Sequence, residues 1–464
     1  MKPQMSRILT PTKFRMTFVS LIFLFATFPG KGGMEGHQRD IQSFSDRNDY
    51  YGFFVPLMAE FPDLFGHWRY SLVVIQILVF WSGFFMLTQS KIKTRPKFFW
   101  SYILLCLVGS VFVSQMYRDS FILSFLTFGL GLLLQALRFS FFWKIPLVTT
   151  SIIILFVTAM FRPLYGCIVG LLLIWLLTQT FKLTGKLIVF GLVTILIFST
   201  APYIVNKKLS ELSGLEKFYP QQAVIQMDLA SNFCWGRSDS LRSDAAKGLR
   251  LILKPDFPIQ SICASLDPYR WDNLYSSNSN YWRYSAPLIL FTGNEFEDSM
   301  IRLERQWLRM VFHNPIDWLQ VRSVYLGPIL LLSNSYVPQS LHDIESFLPP
   351  NMSKINSVLW GLFYYPVTYL DKIRVTSPLF AFVFLILLFL WSNRYNTNES
   401  RLKLSKDNQN TLIALIVLLA IVIVTVVGYV SANGRYVLPY IFLMYVLLYC
   451  SRDLATEKFK LKSN

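Results

Sequence analysis

Residues 145–180 read IPLVTTSIIILFVTAMFRPLYGCIVGLLLIWLLTQT. The only charged residue in this stretch is Arg162, which separates an apolar run at 145–161 from another at 164–180. A helix of about 17 to 25 apolar residues is long enough to cross the hydrocarbon core of a bilayer. The stretch therefore predicts two transmembrane helices joined by a short turn that carries an arginine.

Similar runs continue on both sides of this pair. The eight further strong runs are 16–29, 70–89, 98–116, 120–137, 187–205, 376–392, 410–430 and 436–450. Hydrophobic residues make up 53% and charged residues 15% of the 464 positions, whereas a soluble protein carries about 25% charged residues. We therefore predict an all-α polytopic membrane protein with about 10–12 transmembrane helices. The upper number counts two weaker stretches, 319–334 and 355–370, whose crossing the sequence leaves open.

Basic residues predict the orientation of the chain. They cluster on alternate loops, at 2–15, 91–97, 138–144, 182–186, 394–406 and 452–462. Cytoplasmic loops of membrane proteins carry such an excess of Lys and Arg, so both termini are predicted to be cytoplasmic. The same loops account for the net charge of +17, and no nucleic-acid partner is predicted.

This topology divides the chain into three parts. Residues 1–205 form an N-terminal bundle whose first extracytoplasmic loop, 30–69, is acidic. Residues 206–375, between the seventh span and the last three, form a large extracytoplasmic or interfacial region. Residues 376–464 hold the last three spans and a cytoplasmic tail. Cys234 and Cys263 share the large region, where an oxidising environment would allow a disulfide, but the sequence also fits two free thiols.

Charged side chains are absent from the centres of the strong spans. Ion-coupled transporters usually need such a residue near the midplane, so this class is disfavoured. Charges gather instead at the predicted extracytoplasmic ends of the spans, as Asp40, Asp46, Asp49, Arg118, Asp119, Arg162 and Arg435. A carboxylate there can accept a proton and arginine can hold a phosphate, although each residue also fits a plain interfacial anchor or a solvated loop.

An amphipathic helix is predicted before Pro315. Trp307, Met310 and Val311 recur at helical spacing, and Pro315 ends the pattern. Arginines on the other face suit a helix that lies on the membrane, and a helix packed within the protein fits equally well. The four histidines and five cysteines lack metal-ligand spacing, so no metal site is predicted from them.

Several short motifs together resemble the multi-spanning glycosyltransferases of the C superfamily, in a poorly characterised bacterial branch. The motifs are Gln-Met-Tyr-Arg-Asp-Ser-Phe at 115–121, Gln-Met-Asp-Leu-Ala at 226–230, the Trp307-to-Arg322 segment, and Gly434-Arg435-Tyr436 with Pro439. The acidic first loop and large late loop follow the same order as in that superfamily. The resemblance implies a bacterial inner-membrane enzyme that moves a sugar from a polyprenyl-phosphate donor to an extracytoplasmic glycan, lipid or protein.

The resemblance also implies roles for residues. Asp49, or as a second choice Asp46, would be the catalytic base, while Asp119 would orient Arg118 or line the acceptor site. Arg435, with Arg118 or Arg162, would bind the donor phosphate. Tyr436 and Asp228 would complete the substrate site. No cofactor is certain, because some members use a divalent metal and others use none.

Three other classes remain open from the sequence. A surface-polysaccharide polymerase or ligase would use the same arginines. A lipid-linked glycan flippase would need charges within the spans. A non-catalytic assembly subunit would use the polar turns as anchors only.

Overall fold

The structure is a computed structural model that describes residues 11–27, 68–89, 99–113, 118–136, 141–180, 185–214, 217, 219, 221–255, 257–266, 288–289, 291, 293–331, 358, 362, 377–395, 406–428 and 438–461. Fifteen α-helices lie within these residues. The only β-type pairing in the same residues is an isolated bridge between Leu253 and Leu288. The all-α prediction is confirmed for the described part of the chain.

The helices are numbered here in chain order. They are α1 Pro11–Thr27, α2 Trp68–Gln89, α3 Phe99–Val113, α4 Arg118–Ala136, α5 Phe141–Phe161, α6 Gly166–Thr180, α7 Gly185–Leu212, α8 Gln221–Trp235, α9 Asp239–Leu249, α10 Ile262–Ser265, α11 Glu297–His313, α12 Pro315–Leu331, α13 Pro378–Tyr395, α14 Lys406–Gly428 and α15 Leu438–Leu461.

Ten apolar helices occupy the positions of the ten strong predicted spans. In the described residues four of them are long and apolar enough to cross a membrane, over Asp119–Ala136, Trp143–Phe161, Val189–Leu212 and Gln409–Val426. The other six are shorter, over Phe14–Thr27, Val74–Thr88, Trp100–Val113, Gly166–Leu177, Pro378–Leu390 and Pro439–Cys450. The chain is thus a helical protein with membrane-type helices. Helix α7 continues to Leu212, through the predicted boundary between residues 205 and 206.

The apolar helices pack into a bundle in which α2 lies against α4, α4 against α5, and α6 against α7. Helix α15 contacts α2, α3, α4, α6 and α14, and its residues Tyr440 to Cys450 are almost entirely buried. The outward faces of α5, α7 and α13 expose large apolar side chains such as Ile153, Leu196 and Leu387, which are 55%, 63% and 59% exposed. An exposed apolar surface of this extent suits contact with lipid.

Glycine allows the close approach of α2 and α4. A Cβ at Gly83 would overlap the backbone of Thr127 and Phe128, and a Cβ at Gly131 would come within 2.6 Å of the Gly83 carbonyl oxygen. Small residues at such a crossing let the backbones of membrane helices pack directly against each other.

Replacing Gly83 with alanine should therefore destabilise the bundle by about 1–3 kcal/mol, the usual cost of overpacking. Thermal unfolding of the full chain in detergent measures this change. Gly191→Ala is the matched control, because its added Cβ meets only the flexible end of Ile174 at 3.2 Å. Equal melting temperatures for the two variants would contradict the close α2–α4 packing.

Polar contacts show which helix ends lie together. At one end of the bundle Gln76 Nε2 donates to the Val113 carbonyl oxygen at 2.6 Å, joining the N-terminal half of α2 to the end of α3. At the other end Gln135 Nε2, near the end of α4, donates to the Met86 carbonyl oxygen, near the end of α2, at 2.9 Å. Helices α2 and α4 therefore run parallel to each other, and α3 between them in sequence runs antiparallel to both. This alternation of direction agrees with the alternation of the basic loops.

Helices α8 to α12 form a separate cluster after α7. Helix α8 lies at its centre and contacts α9, α10, α11 and α12. Gln222 of α8 holds the segment at Phe291 through two hydrogen bonds. Its side chain donates to the Phe291 carbonyl oxygen at 2.9 Å and accepts from the Phe291 N–H at 2.8 Å. Helix α12 covers most of the weak stretch 319–334 and also contacts α13 and α14. The second weak stretch, 355–370, lies outside the described residues except for positions 358 and 362.

A disulfide joins Cys234 in α8 to Cys263 in α10, with a Cα–Cα distance of 5.4 Å. The other three cysteines, Cys106, Cys167 and Cys450, are not part of a disulfide. The pairing that the sequence left open is thus present.

Loss of this disulfide should destabilise the α8–α12 cluster by about 3–4 kcal/mol, because the bond closes a loop of 29 residues. Urea unfolding of Cys234→Ser in detergent measures the loss, with Cys167→Ser as control. Before reduction a denatured sample should take up three maleimide-polymer labels, and after reduction five. Five labels without reduction would show that the bond is not formed.

Candidate functional site

An ion pair joins two of the predicted site residues at one end of the bundle. Arg162 Nε donates to Asp119 Oδ1 at 2.8 Å, across 43 positions of sequence. The Asp119 side chain is 4% exposed and the Arg162 side chain 16% exposed. A charged pair so close to apolar helices is costly to bury unless both partners are satisfied. The pair therefore fixes the turn after α5 against the start of α4.

Helix ends favour both charges of this pair. Asp119 lies in the first turn of α4, where the positive end of the helix dipole stabilises a carboxylate. Arg162 follows the last residue of α5 and precedes the short 3₁₀ helix Pro163–Tyr165, so it lies at a negative helix end. Asp119 thus orients Arg162. The side chain of Arg118, which the sequence offered as its partner, lies outside the described residues.

A pair of stacked tyrosines connects this ion pair to the last apolar helix. The rings of Tyr165 and Tyr440 are parallel within 5°, with centroids 4.6 Å apart. The Tyr165 N–H also donates to the Arg162 carbonyl oxygen at 2.9 Å. Both tyrosines are buried, at 1% and 2% exposed. The start of α15 therefore packs beside the Arg162 turn.

Asp228 lies in a different arrangement, at the centre of the α8–α12 cluster. Its Oδ2 accepts from Trp307 Nε1 at 2.7 Å and from Trp318 Nε1 at 2.6 Å. Its Oδ1 lies 2.9 Å from Arg322 Nε, and both side chains are only 1% exposed. The Arg322 guanidinium also lies 5.9 Å from the centroid of the Trp318 ring. These contacts hold α8, α11 and α12 together.

The sequence singled out Asp228, Trp307 and Arg322 as short motifs but did not predict that they meet. The sequence feature that bears on their meeting is Pro315, because it ends α11 and starts α12 directly after it. That break carries Trp318 and Arg322 back toward α8, so residues from two helices reach one carboxylate. These contacts engage both oxygens of the buried Asp228 side chain and give it a structural role. Its place in the substrate site stays a prediction from the sequence.

A second acidic residue of the cluster lies nearer its surface. Asp244 Oδ1 is 3.0 Å from Lys247 Nζ, and Oδ2 is 3.3 Å from His313 Nδ1. Burial raises the pKa of the Asp244 carboxyl, but Lys247 and His313 outweigh this and leave the pKa below its ordinary value. These contacts join α9 to the end of α11.

The described residues contain some of the predicted site and not the rest. Asp119 and Arg162 meet, whereas Asp228 pairs with Arg322. Asp46, Asp49, Arg435 and Tyr436 lie outside the described residues, and so does Asp40. Their assignments stay predictions from the sequence.

No group of three or more His, Cys, Asp or Glu side chains within the described residues lies close enough to hold a metal ion. The aspartates of the first loop do not belong to those residues.

Comparisons of the chain with protein-family models, curated proteins and solved structures found no match.

Proposed function

We propose that the chain is a membrane glycosyltransferase that moves a sugar from a polyprenyl-phosphate donor to an extracytoplasmic acceptor. The Asp119–Arg162 pair is the observation that carries this proposal. It is a charged pair at the end of an apolar bundle, 16% exposed on the arginine side, where the phosphate of a lipid carrier would lie. A guanidinium has five N–H donors in a fixed fork, so an arginine that binds a carboxylate is also suited to phosphate oxygens.

In the proposed reaction the acceptor hydroxyl oxygen attacks the anomeric carbon of the donor sugar. A bond forms between these two atoms, and the bond from the anomeric carbon to the phosphate oxygen breaks. The phosphate leaves with the electron pair, and the hydroxyl proton passes to a carboxylate. Asp49 is the first choice for that base and Asp46 the second. Arg162, with Arg435, stabilises the charge that develops on the leaving phosphate.

The tyrosine stack supports the pairing of Arg162 with Arg435 in this proposal. Tyr440 packs against Tyr165 beside the Arg162 turn. In the sequence Arg435 and Tyr436 precede Tyr440 by five and four positions. The chain segment that carries them thus leads into the helix end next to the ion pair.

The disulfide supports an extracytoplasmic placement of the α8–α12 cluster. Structural disulfides persist mainly in oxidising compartments, outside the cytoplasm. With Cys234 and Cys263 bonded, the cluster fits the side of the membrane opposite the basic loops. We accordingly propose a multi-pass protein of the bacterial inner membrane with both termini cytoplasmic.

Sugar transfer by the purified chain in nanodiscs tests the function. A panel of polyprenyl-phosphate sugars serves as donors, and extracted cell-envelope glycans and lipids serve as acceptors. Wild type should release polyprenyl phosphate, whereas Asp49→Asn and Arg435→Ala should release little. Arg242→Gln is the control, since it changes an exposed arginine that pairs only with its helix neighbour Asp239 in the contacts seen.

The pattern of results separates the assignments. Full activity in Asp49→Asn with loss in Asp46→Asn would move the base to Asp46. If folded protein supplied with acceptors released polyprenyl phosphate from none of the donors, the proposal would be contradicted. That result would favour a polysaccharide polymerase or a flippase.

A further inference from the structure

Helix α11 has two apolar faces, and the structure buries only one of them. Met300, Leu303 and Met310 are between 0% and 2% exposed, and α11 contacts α8 and α9. Trp307 points to the same side, since its indole reaches Asp228. The face that the sequence offered for the membrane is therefore a packing face within the protein.

The second apolar face lies opposite the first. Ile301, Leu308 and Phe312 recur at intervals of seven and four residues and are 37%, 41% and 75% exposed. At 100° per residue these three positions fall on the side of the helix away from Met300, Leu303 and Met310. Two further exposed apolar side chains follow in the first turns of α12, where Ile316 and Leu319 are 72% and 50% exposed. We call these five side chains the outer stripe.

A row of arginines borders the outer stripe. Arg302, Arg305 and Arg309 are all exposed and follow one another at intervals of three and four residues. Glu297 and Asp298 lie in the first turn of α11, and Glu304 lies toward α8, where its Oε1 accepts from Gln221 Nε2 at 3.0 Å. An apolar stripe beside an arginine row is the arrangement of a helix that lies in a membrane interface, with its apolar side chains at the acyl boundary and its cations at the phosphates.

The position of the outer stripe in the fold also points to lipid. Helix α12, which carries two side chains of the stripe, contacts the apolar helices α13 and α14. The exposed side of α13 begins with Leu379 and Phe380, which are 44% and 39% exposed. Exposed apolar surface thus occurs on α11, on α12 and on the bundle helix that α12 contacts. The arginine row adds a charge that suits anionic lipid better than a second apolar protein surface.

We propose that the outer stripe of α11 and α12 lies in the bilayer interface and that Arg302, Arg305 and Arg309 bind the headgroups of anionic phospholipids. This contact fixes the α8–α12 cluster to the membrane surface through a face separate from its attachment to α13 and α14. It does not depend on the proposed transfer reaction.

A spin label at position 312 tests the proposal in the full chain. Phe312→Cys is made in a background where Cys106, Cys167 and Cys450 are replaced by alanine, so that the disulfide stays intact. The labelled protein is placed in nanodiscs of zwitterionic lipid with and without phosphatidylglycerol. Collision rates with oxygen, which enters the acyl region, and with a water-soluble nickel chelate report the surroundings of the label.

The expected result is an oxygen-to-nickel accessibility ratio several-fold higher at position 312 than at position 250, where an exposed arginine of the same cluster is labelled as control. The ratio at 312 should rise when phosphatidylglycerol is present. Changing Arg302, Arg305 and Arg309 together to Gln should remove that dependence, whereas Arg237, Arg242 and Arg250 changed to Gln should not.

Two outcomes would overturn the proposal. High nickel accessibility at 312 in both lipids would place the stripe in water. Low accessibility to both reagents would show a protein neighbour, either another part of this chain or a second copy. If Phe312→Cys does not fold, the label at Leu308 gives the same comparison.

Discussion

The variant Arg322→Met should lose about 3–5 kcal/mol of stability in the α8–α12 cluster, because it leaves a buried carboxylate without its cation. Asp228→Asn should lose a similar amount, since it leaves the Arg322 charge buried and unbalanced. The native side chains lie 2.9 Å apart and are each 1% exposed, so water cannot compensate either loss. Urea unfolding in detergent, followed by tryptophan fluorescence, measures the effect, with Trp307 and Trp318 as local reporters.

The double variant gives the sharper test of this buried pair. Asp228→Asn with Arg322→Met removes both charges, while the new amide oxygen still accepts from an indole N–H. It should therefore be more stable than either single variant. Arg242→Met is the control, since its partner Asp239 is 96% exposed and such surface pairs contribute little. If the loss of stability in the double variant equalled the sum of the losses in the two single variants, the result would contradict a direct Asp228–Arg322 pair.

The second large effect is expected at Arg162. Arg162→Ala should lower donor turnover about 10²–10³-fold, the usual loss when one group that stabilises developing negative charge is removed. Arg162→Lys should recover only part of this loss, because an ammonium lacks the planar fork that holds carboxylate and phosphate together. Initial rates of polyprenyl-phosphate release in nanodiscs measure both variants.

The Asp119 variant separates a positioning role from a structural one. Asp119→Asn keeps the size and one acceptor oxygen, so the protein should fold but hold Arg162 less firmly. Its turnover should fall, and combining it with Arg162→Ala should cause little further loss, because Asp119 acts through that arginine. Independent, multiplicative losses would contradict this dependence. An unchanged melting temperature of Asp119→Asn excludes unfolding as the cause.

The helices of this chain follow from its composition. Long apolar runs such as 145–161 and 187–205 can satisfy their backbone hydrogen bonds in lipid only as helices, so the presence of helices over these runs was predictable. The residues at which these helices end were less predictable. Helix α7 continues to Leu212 because Lys207, Lys208 and Glu211 are good helix formers in spite of their charge, and hydropathy alone stops before them.

The site was predictable only in part, for a different reason. Topology placed Asp119 and Arg162 at the same end of the bundle, but their pairing depends on the packing of α4 against α5. The Asp228 contacts depend on the direction in which α12 leaves Pro315, which sequence periodicity does not encode. On α11, periodicity found the face with Trp307 and Met310 but could not tell a protein neighbour from lipid.

The most direct measurement is retention of polyprenyl phosphate by the purified chain, observed by native mass spectrometry after extraction into detergent. Polyprenyl phosphate is the part that all the proposed donors share, so neither sugar nor acceptor needs to be known. Wild type should retain one molecule, Arg162→Ala should lose it, and the exposed-arginine control Arg242→Gln should keep it. Equal retention by wild type and Arg162→Ala would contradict a phosphate site at the Asp119–Arg162 pair.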